Sequence, residues 1–191
     1  MNYYIADLHI SHKRAIEYDN RPFATVEQMD STLISNWNRV VSKNDTVYVL
    51  GDFIWKKEQE WIDILEQLKG NIVLIKGNHD PDRLSGKTKK YFADIKDYKE
   101  IDDNGYKVIM CHYPIPFFKH DFETNTVMLY GHVHKSIEYQ YLKDLKDELK
   151  KATSDKHPTG NFINIGCMMP YMQYTPRTLN QILESDNERL Y

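Results

Sequence analysis

Cysteine is nearly absent: Cys111 and Cys167 are the only two. Two cannot build a disulfide framework, and each sits in or beside an apolar run, so both read as buried free thiols. A basic excess is missing as well. Lys and Arg number 25 against 28 Asp and Glu, a formal charge of −3. That excludes the overall electrostatic footprint of a chain that coats nucleic acid and leaves room only for a local basic patch. No apolar run approaches the length of a membrane span. Met1 is followed almost at once by a strand-like run, leaving no room for a signal peptide, so a cytoplasmic, soluble protein is the expectation. No repeat of useful period is visible.

What remains is an ordinary globular composition, 41% hydrophobic and 28% charged over 191 residues. It suits a single domain, 1–191, with a sizeable core. Short apolar runs at 3–6, 47–50, 72–75, 107–111, 127–130 and 162–166 read as strands. A weak alternation around 95–101 predicts an edge strand, and Asn104-Gly105 predicts a hairpin turn. Between them lie helical patterns. Thr25 with Gln28 makes a capping box ahead of Val26, Met29, Leu33, Trp37 and Val40. A second helix is expected over 57–68, with Trp61, Ile64, Leu65 and Leu68 inward and Gly70 as its terminator. Pro81 is placed to open a helical turn. A charged helix over 137–152 should turn Tyr141, Leu142, Leu145 and Leu149 inward, and a short one over 178–183 closes the chain, whose last residues should fray.

The chemistry gathers where the strands stop. Five of them run into polar clusters: Asp7 and His9, Asp52, Asn78-His79-Asp80, His112, and His132 with His134. In an extended segment Asp7 and His9 share a face. If the strands share a sheet, the clusters converge beyond their carboxyl ends, where α/β sheets keep their functional crevice. A lone histidine is usually a core residue, but five of the eight falling at strand ends calls for another explanation. The donors are Asp, His and Asn without cysteine, a mixture that suits Mn²⁺, Fe, Zn²⁺ or Ni²⁺. They are too many for one ion, and two ions sharing a carboxylate is the economical arrangement. Such pairs, about 3.5–4 Å apart, bind a bridging hydroxide and grip phosphate oxygens.

The ordered set Asp7-Leu8-His9, Gly51-Asp52, Gly77-Asn78-His79-Asp80, His112 and Gly131-His132-Val133-His134 resembles the calcineurin-like metallophosphoesterases, in particular small single-domain prokaryotic and phage members. The resemblance covers nearly the whole chain. It implies an α/β fold, a four-layer αββα sandwich of two mixed β-sheets flanked by helices. It implies that Asp7, His9, Asp52 and His134 hold one divalent transition-metal ion, most often Mn²⁺. Asp52, Asn78, His112 and His132 would hold a second, with Asp52 bridging. His79 would be the catalytic acid and Asp80 its orienting partner. The sequence departs from the family in one place: many relatives carry Asp or Asn three residues after the bridging aspartate, and here that residue is Trp55, a candidate pocket wall.

Four further residues are candidates for substrate contact: His12 along the pocket, Arg21 against a phosphate, Trp55, and Tyr113 in an aromatic loop. The expected activity is hydrolysis of a phosphodiester or phosphomonoester in a small or nucleotide-like substrate, by in-line attack of water. A nuclease or a protein phosphatase is the alternative within the family. Nothing in the charge indicates a nucleic-acid partner, and no membrane partner is expected. A binding module on the same fold would lack ligands or the histidine, and all are present.

Overall fold

Apolar runs of four or five residues become the strands of two sheets in a computed structural model that describes residues 1–151 and 157–187. In the first sheet β1 (Asn2–Ile5), β2 (Thr46–Leu50), β3 (Asn71–Ile75) and β4 (Phe92–Lys96) lie in that order, all parallel. In the second, β5 (Tyr98–Asp103) is antiparallel to β6 (Tyr106–Cys111), which runs parallel to β7 (Thr126–Tyr130), itself parallel to β8 (Phe162–Asn164). Asn104 and Gly105, at φ of 50° and 81°, make the tight turn between β5 and β6.

A wholly parallel sheet must be covered on both faces. Alternation along the strands decides what covers each. Tyr3 donates its hydroxyl to Val40 O, on the side of the helices α1 (Lys13–Tyr18), α2 (Val26–Val40) and α3 (Trp61–Leu65). Tyr4, on the opposite face, stacks on Tyr48 and donates to Asp103 Oδ2 of the second sheet at 2.7 Å. Val108, Met110, Val127, Leu129 and Ile163 join the core shared by the sheets. Their neighbours Ile109, Met128, Tyr130 and Phe162 face outward and pack with Leu149. The helix on this face is α5 (Ile137–Lys151), which carries Leu149, whereas α4 (Gly86–Lys89) is tied through Ser85 to Glu58 and α6 (Leu179–Asn187) packs against β1. A period of two in each sheet thus yields the expected helix–sheet–sheet–helix layering.

Thr25 Oγ1 accepts from Gln28 N at 3.2 Å, but Gln28 Oε1 closes the box on Ala24 N rather than on Thr25. The helix expected over 57–68 is a 3₁₀ turn, Glu58–Glu60, followed by the five residues of α3. It starts without a side-chain cap and ends in 3₁₀ bonds from Gln67 and Leu68, although Trp61, Ile64 and Leu65 are buried as expected. The single edge strand around 95–101 is two strands in different sheets, β4 and β5, joined only by Asp97. Half-covered edge strands carry little alternation, which hid the break. No helical turn forms at Pro81, and α4 begins at Gly86. Tyr141 is 64% exposed, because Leu142, Leu145 and Leu149 share their helical face with Tyr139 instead. Cys167 is buried and Cys111 only half-buried, both as free thiols. The predicted helix end at Ala152 and the last residues lie outside the described ones. No helix of the described residues is long and apolar enough to cross a membrane.

Candidate metal centre

The carboxyl ends of β1, β2, β3, β6 and β7 meet at one edge of the sandwich. Asp7 and His9 do point at one spot, but not through an extended strand. Their φ angles are 54° and 49°, and Asp52, His132 and His134 are also left-handed, at 50°, 69° and 46°. For side chains with a Cβ this costs roughly 1–2 kcal/mol each. The kinked segments are held by backbone bonds: Asp7 N to Gly51 O, His9 N to Asp52 O, and Gly131 N to His112 O, all between 2.9 and 3.1 Å. The backbones also approach closely. A Cβ on Gly77 would stand 2.4 Å from Asp52 Oδ1, and one on Gly131 2.7 Å from Asp7 Oδ2.

Ligand-type atoms of Asp7, His9, Asp52 and His134 lie within 4.8 Å of one another. His9 Nε2 is 3.3 Å from His134 Nε2 and 3.6 Å from Asp52 Oδ2. On the other side of Asp52, its Oδ1 is 3.7 Å from His112 Nε2. Asn78 Oδ1 is 3.0 Å from that nitrogen and 2.9 Å from His132 Nδ1. All seven expected ligands are therefore brought together, with Asp52 between two groups. His79 contributes its backbone N–H to Asp52 Oδ1, while its exposed ring stands apart against Trp55, 4.7 Å between centroids.

Two residues absent from the expected set orient the ligands. Asp19 Oδ1 lies 2.7 Å from His134 Nδ1, and Asp19 Oδ2 accepts from Arg21 Nε and Nη2. Burial alone would raise the Asp19 carboxyl, but the bond to His134 and the Arg21 charge outweigh it and hold it below its ordinary range. Asn164 donates to His134 O and accepts from Gly166 N. The one sequence signal for Asp19 was an acid two residues before an arginine; Asn164 had none beyond its strand.

Two expectations need correction. Arg21 does not face a substrate: its guanidinium is wholly buried and donates to Asp7 O, Leu8 O and Asp19. Asp80 does not touch the His79 ring. Its carboxylate accepts the backbone N–H groups of Asp52, Phe53 and Gly77, so it ties two ligand loops together. His12, Trp55 and His79 line an open crevice of about 760 Å³ with His9, Asp52 and His134. Tyr113 packs edge-on against His112 and His132.

The donor set fits cations. Among the described residues, buried Asp7 and Asp52 form no ion pair with Lys or Arg, an expensive state for carboxylates without another positive charge. Leu50 O can only accept, so His112 Nδ1 carries a hydrogen and Nε2 turns a lone pair toward Asn78 and Asp52. His134 likewise presents Nε2 while Nδ1 bonds Asp19. Burial, with His134 and Arg21 nearby, pushes His9 down to about 2, so its imidazole is in the neutral, ligating form. Second carboxylate and carbonyl partners of this kind fix the tautomers of metal-bound histidines.

Residues 3–186 match the family model of the calcineurin-like phosphoesterase superfamily domain. An uncharacterised protein of Methanocaldococcus jannaschii is 37% identical over 142 residues, 73% of this chain and 74% of that protein. The Gene 66 protein of Mycobacterium phage L5 is 41% identical over 81 residues, 41% of this chain and 39% of its own. A crystal structure of a protein of unknown function from Aquifex aeolicus superposes over 100% of this chain and 99% of its own, with a TM-score of 0.64 and 25% identity.

Proposed function

Since this chain belongs to the calcineurin-like phosphoesterase superfamily, we propose that it hydrolyses phosphodiester or phosphomonoester bonds of small or nucleotide-like substrates. It would do so with two divalent transition-metal ions, Mn²⁺ first among them. The observation that carries the reading is the position of Asp52, with one oxygen toward His9 and the other toward His112. Asp7, His9, Asp52 and His134 would hold one ion, and Asp52, Asn78, His112 and His132 the other. Bound, the ions supply an activated water and neutralise phosphoryl charge.

The chain's own groups perform the remaining steps. The water oxygen forms the new P–O bond opposite the leaving oxygen, which departs with the electron pair of the bond that breaks. His79 hands that oxygen a proton, and the proton shed by the water passes to solvent. His79 is free to do this because its ring is outside the ligand cluster and at the crevice wall. Trp55, rather than Asp80, would set the ring's orientation.

His79→Asn should keep its metals and lose roughly 10²–10⁴ in turnover, the usual range for a positioned acid. The loss should shrink for a nitrophenolate, which leaves without help. Turnover across leaving groups of graded basicity, beside metal content, checks this. An equal loss across the series would remove proton donation, and loss of metal would make His79 a ligand.

A further inference from the structure

Two crevices meet at His79. The larger runs from His9 and His134 to Lys13 and Tyr18. The smaller, about 390 Å³, is walled by Ile54, Trp55, Lys56, Lys57 and His79. It is a shallow, open shelf beside the deeper crevice rather than an enclosed cavity. Trp55 and His79 line both.

Trp55 is fixed in place yet left wet. Its backbone N–H donates to Ile10 O at 2.7 Å beside the Ile10–Ile54 bridge, which sets Trp55 next to the His12 loop. His12 then stacks on the indole at 3.8 Å and 10°, and His79 meets it edge-on. Even so the residue is 41% exposed, whereas Trp37 and Trp61 are fully buried. An indole already stacked on His12, in contact with His79 and with surface to spare, has less side-chain freedom left to lose. A planar ring gains dispersion and desolvation against it at little further cost.

We propose that the smaller crevice is a leaving-group subsite in which Trp55 stacks the planar heteroaromatic ring of a nucleoside. The assignment rests on His79 as the acid: the alcohol it protonates must abut His79, and of the two spaces His79 lines, the smaller is the one free of ligand residues. Lys57, which forms no ion pair among the described residues, and Lys56, paired with Glu60 at 3.7 Å, border it.

The test uses two methyl phosphodiesters, one of the adenosine 5′-hydroxyl and one of the equivalent hydroxyl of methyl riboside. The departing oxygen is the same, so His79 gives the same proton, and only the base differs. With Mn²⁺ present, release of the free nucleoside or riboside is followed. The adenosine ester should be favoured by roughly tenfold or more in kcat/KM, the scale of one base–aromatic stack. Trp55→Ala should bring the ratio near one, and Trp55→Phe should keep most of it. An equal rate in the wild type, or a preference that survives Trp55→Ala, overturns the proposal.

A second readout needs no turnover. Adenosine 5′-monophosphate should quench the emission that distinguishes wild type from Trp55→Ala, and ribose 5-phosphate should not. If neither ester is hydrolysed, the diesterase part of the proposed function fails while quenching still supports the stacking site. Absence of quenching by the nucleotide overturns the subsite itself.

Discussion

Asp52 has one carboxylate oxygen on each side of the cluster, so its loss touches both halves. Asp52→Asn should reduce metal bound per chain at both positions, whereas Asn78→Ala should mainly empty one. Metal content of the purified variants checks this, and two full-occupancy ions in an active Asp52→Asn protein would remove the bridging role. Asp19 acts one step further out. It fixes His134 through Nδ1, and its other oxygen holds the buried Arg21. Asp19→Asn keeps the shape and gives up the charge, so Mn²⁺ affinity should fall by about 10- to 100-fold, as for other carboxylates behind metal-bound histidines. Calorimetric titration, with circular dichroism to show an intact fold, measures it. Unchanged affinity would leave Asp19 a purely structural partner of Arg21. The ligand histidines were legible because each follows an apolar run. Arg21 misled because a cationic side chain in a loop looks available, while its guanidinium in fact satisfies the carbonyls of Asp7 and Leu8.

Among the elements, the loops leaving the strands matter more than the strands. The loop after β3 passes so close to the loop after β2 that a Cβ at Gly77 would meet Asp52 Oδ1 at 2.4 Å and Asp52 N at 2.6 Å. The second of these is backbone and cannot swing aside. Gly77→Ala should cost about 1–3 kcal/mol of stability, the range for overpacking, and should lower metal content. Urea midpoints and metal analysis test it, and a variant unchanged in both would show that the loops have slack. Helix α2 was legible in full, since a capped amphipathic pattern of four turns has one reading. The crossing from β4 to β5 was not, because a single residue separates strands that belong to different sheets.

At the scale of the whole molecule, the cluster joins the two sheets. Asp7, Asp52 and Asn78 follow strands of the first, and His112, His132 and His134 follow strands of the second. The sheets also touch directly, where Ala6 N donates to Ile165 O and Cys167 N to Ala6 O. Ions bound there would favour the native state over the unfolded chain, which lacks the site. At a hundredfold excess over its Kd, one ion stabilises by about 2.7 kcal/mol. For a chain of this size that is a rise in Tm of roughly 5–10 °C. Mn²⁺ should produce the shift and a chelator should reverse it in thermal unfolding. A Tm indifferent to both would argue that nothing binds at the junction.

Sequence alone determined which residues could ligate a cation and that they would collect at strand ends, because a strand announces itself by apolar composition and stops where polarity returns. The ordered motifs from Asp7-Leu8-His9 to Gly131-His132-Val133-His134 carried the resemblance that implied the superfamily and the sandwich. Only the tertiary structure decided that Asp19 stands behind His134, that Asp80 braces backbone rather than His79, and that Arg21 is sealed inside. These depend on left-handed kinks and on contacts between residues far apart in the chain, such as Asp19 and His134 at a separation of 115. Neither a local propensity nor a hydrophobic period encodes such a contact, since each arises only when separate loops are packed against one another.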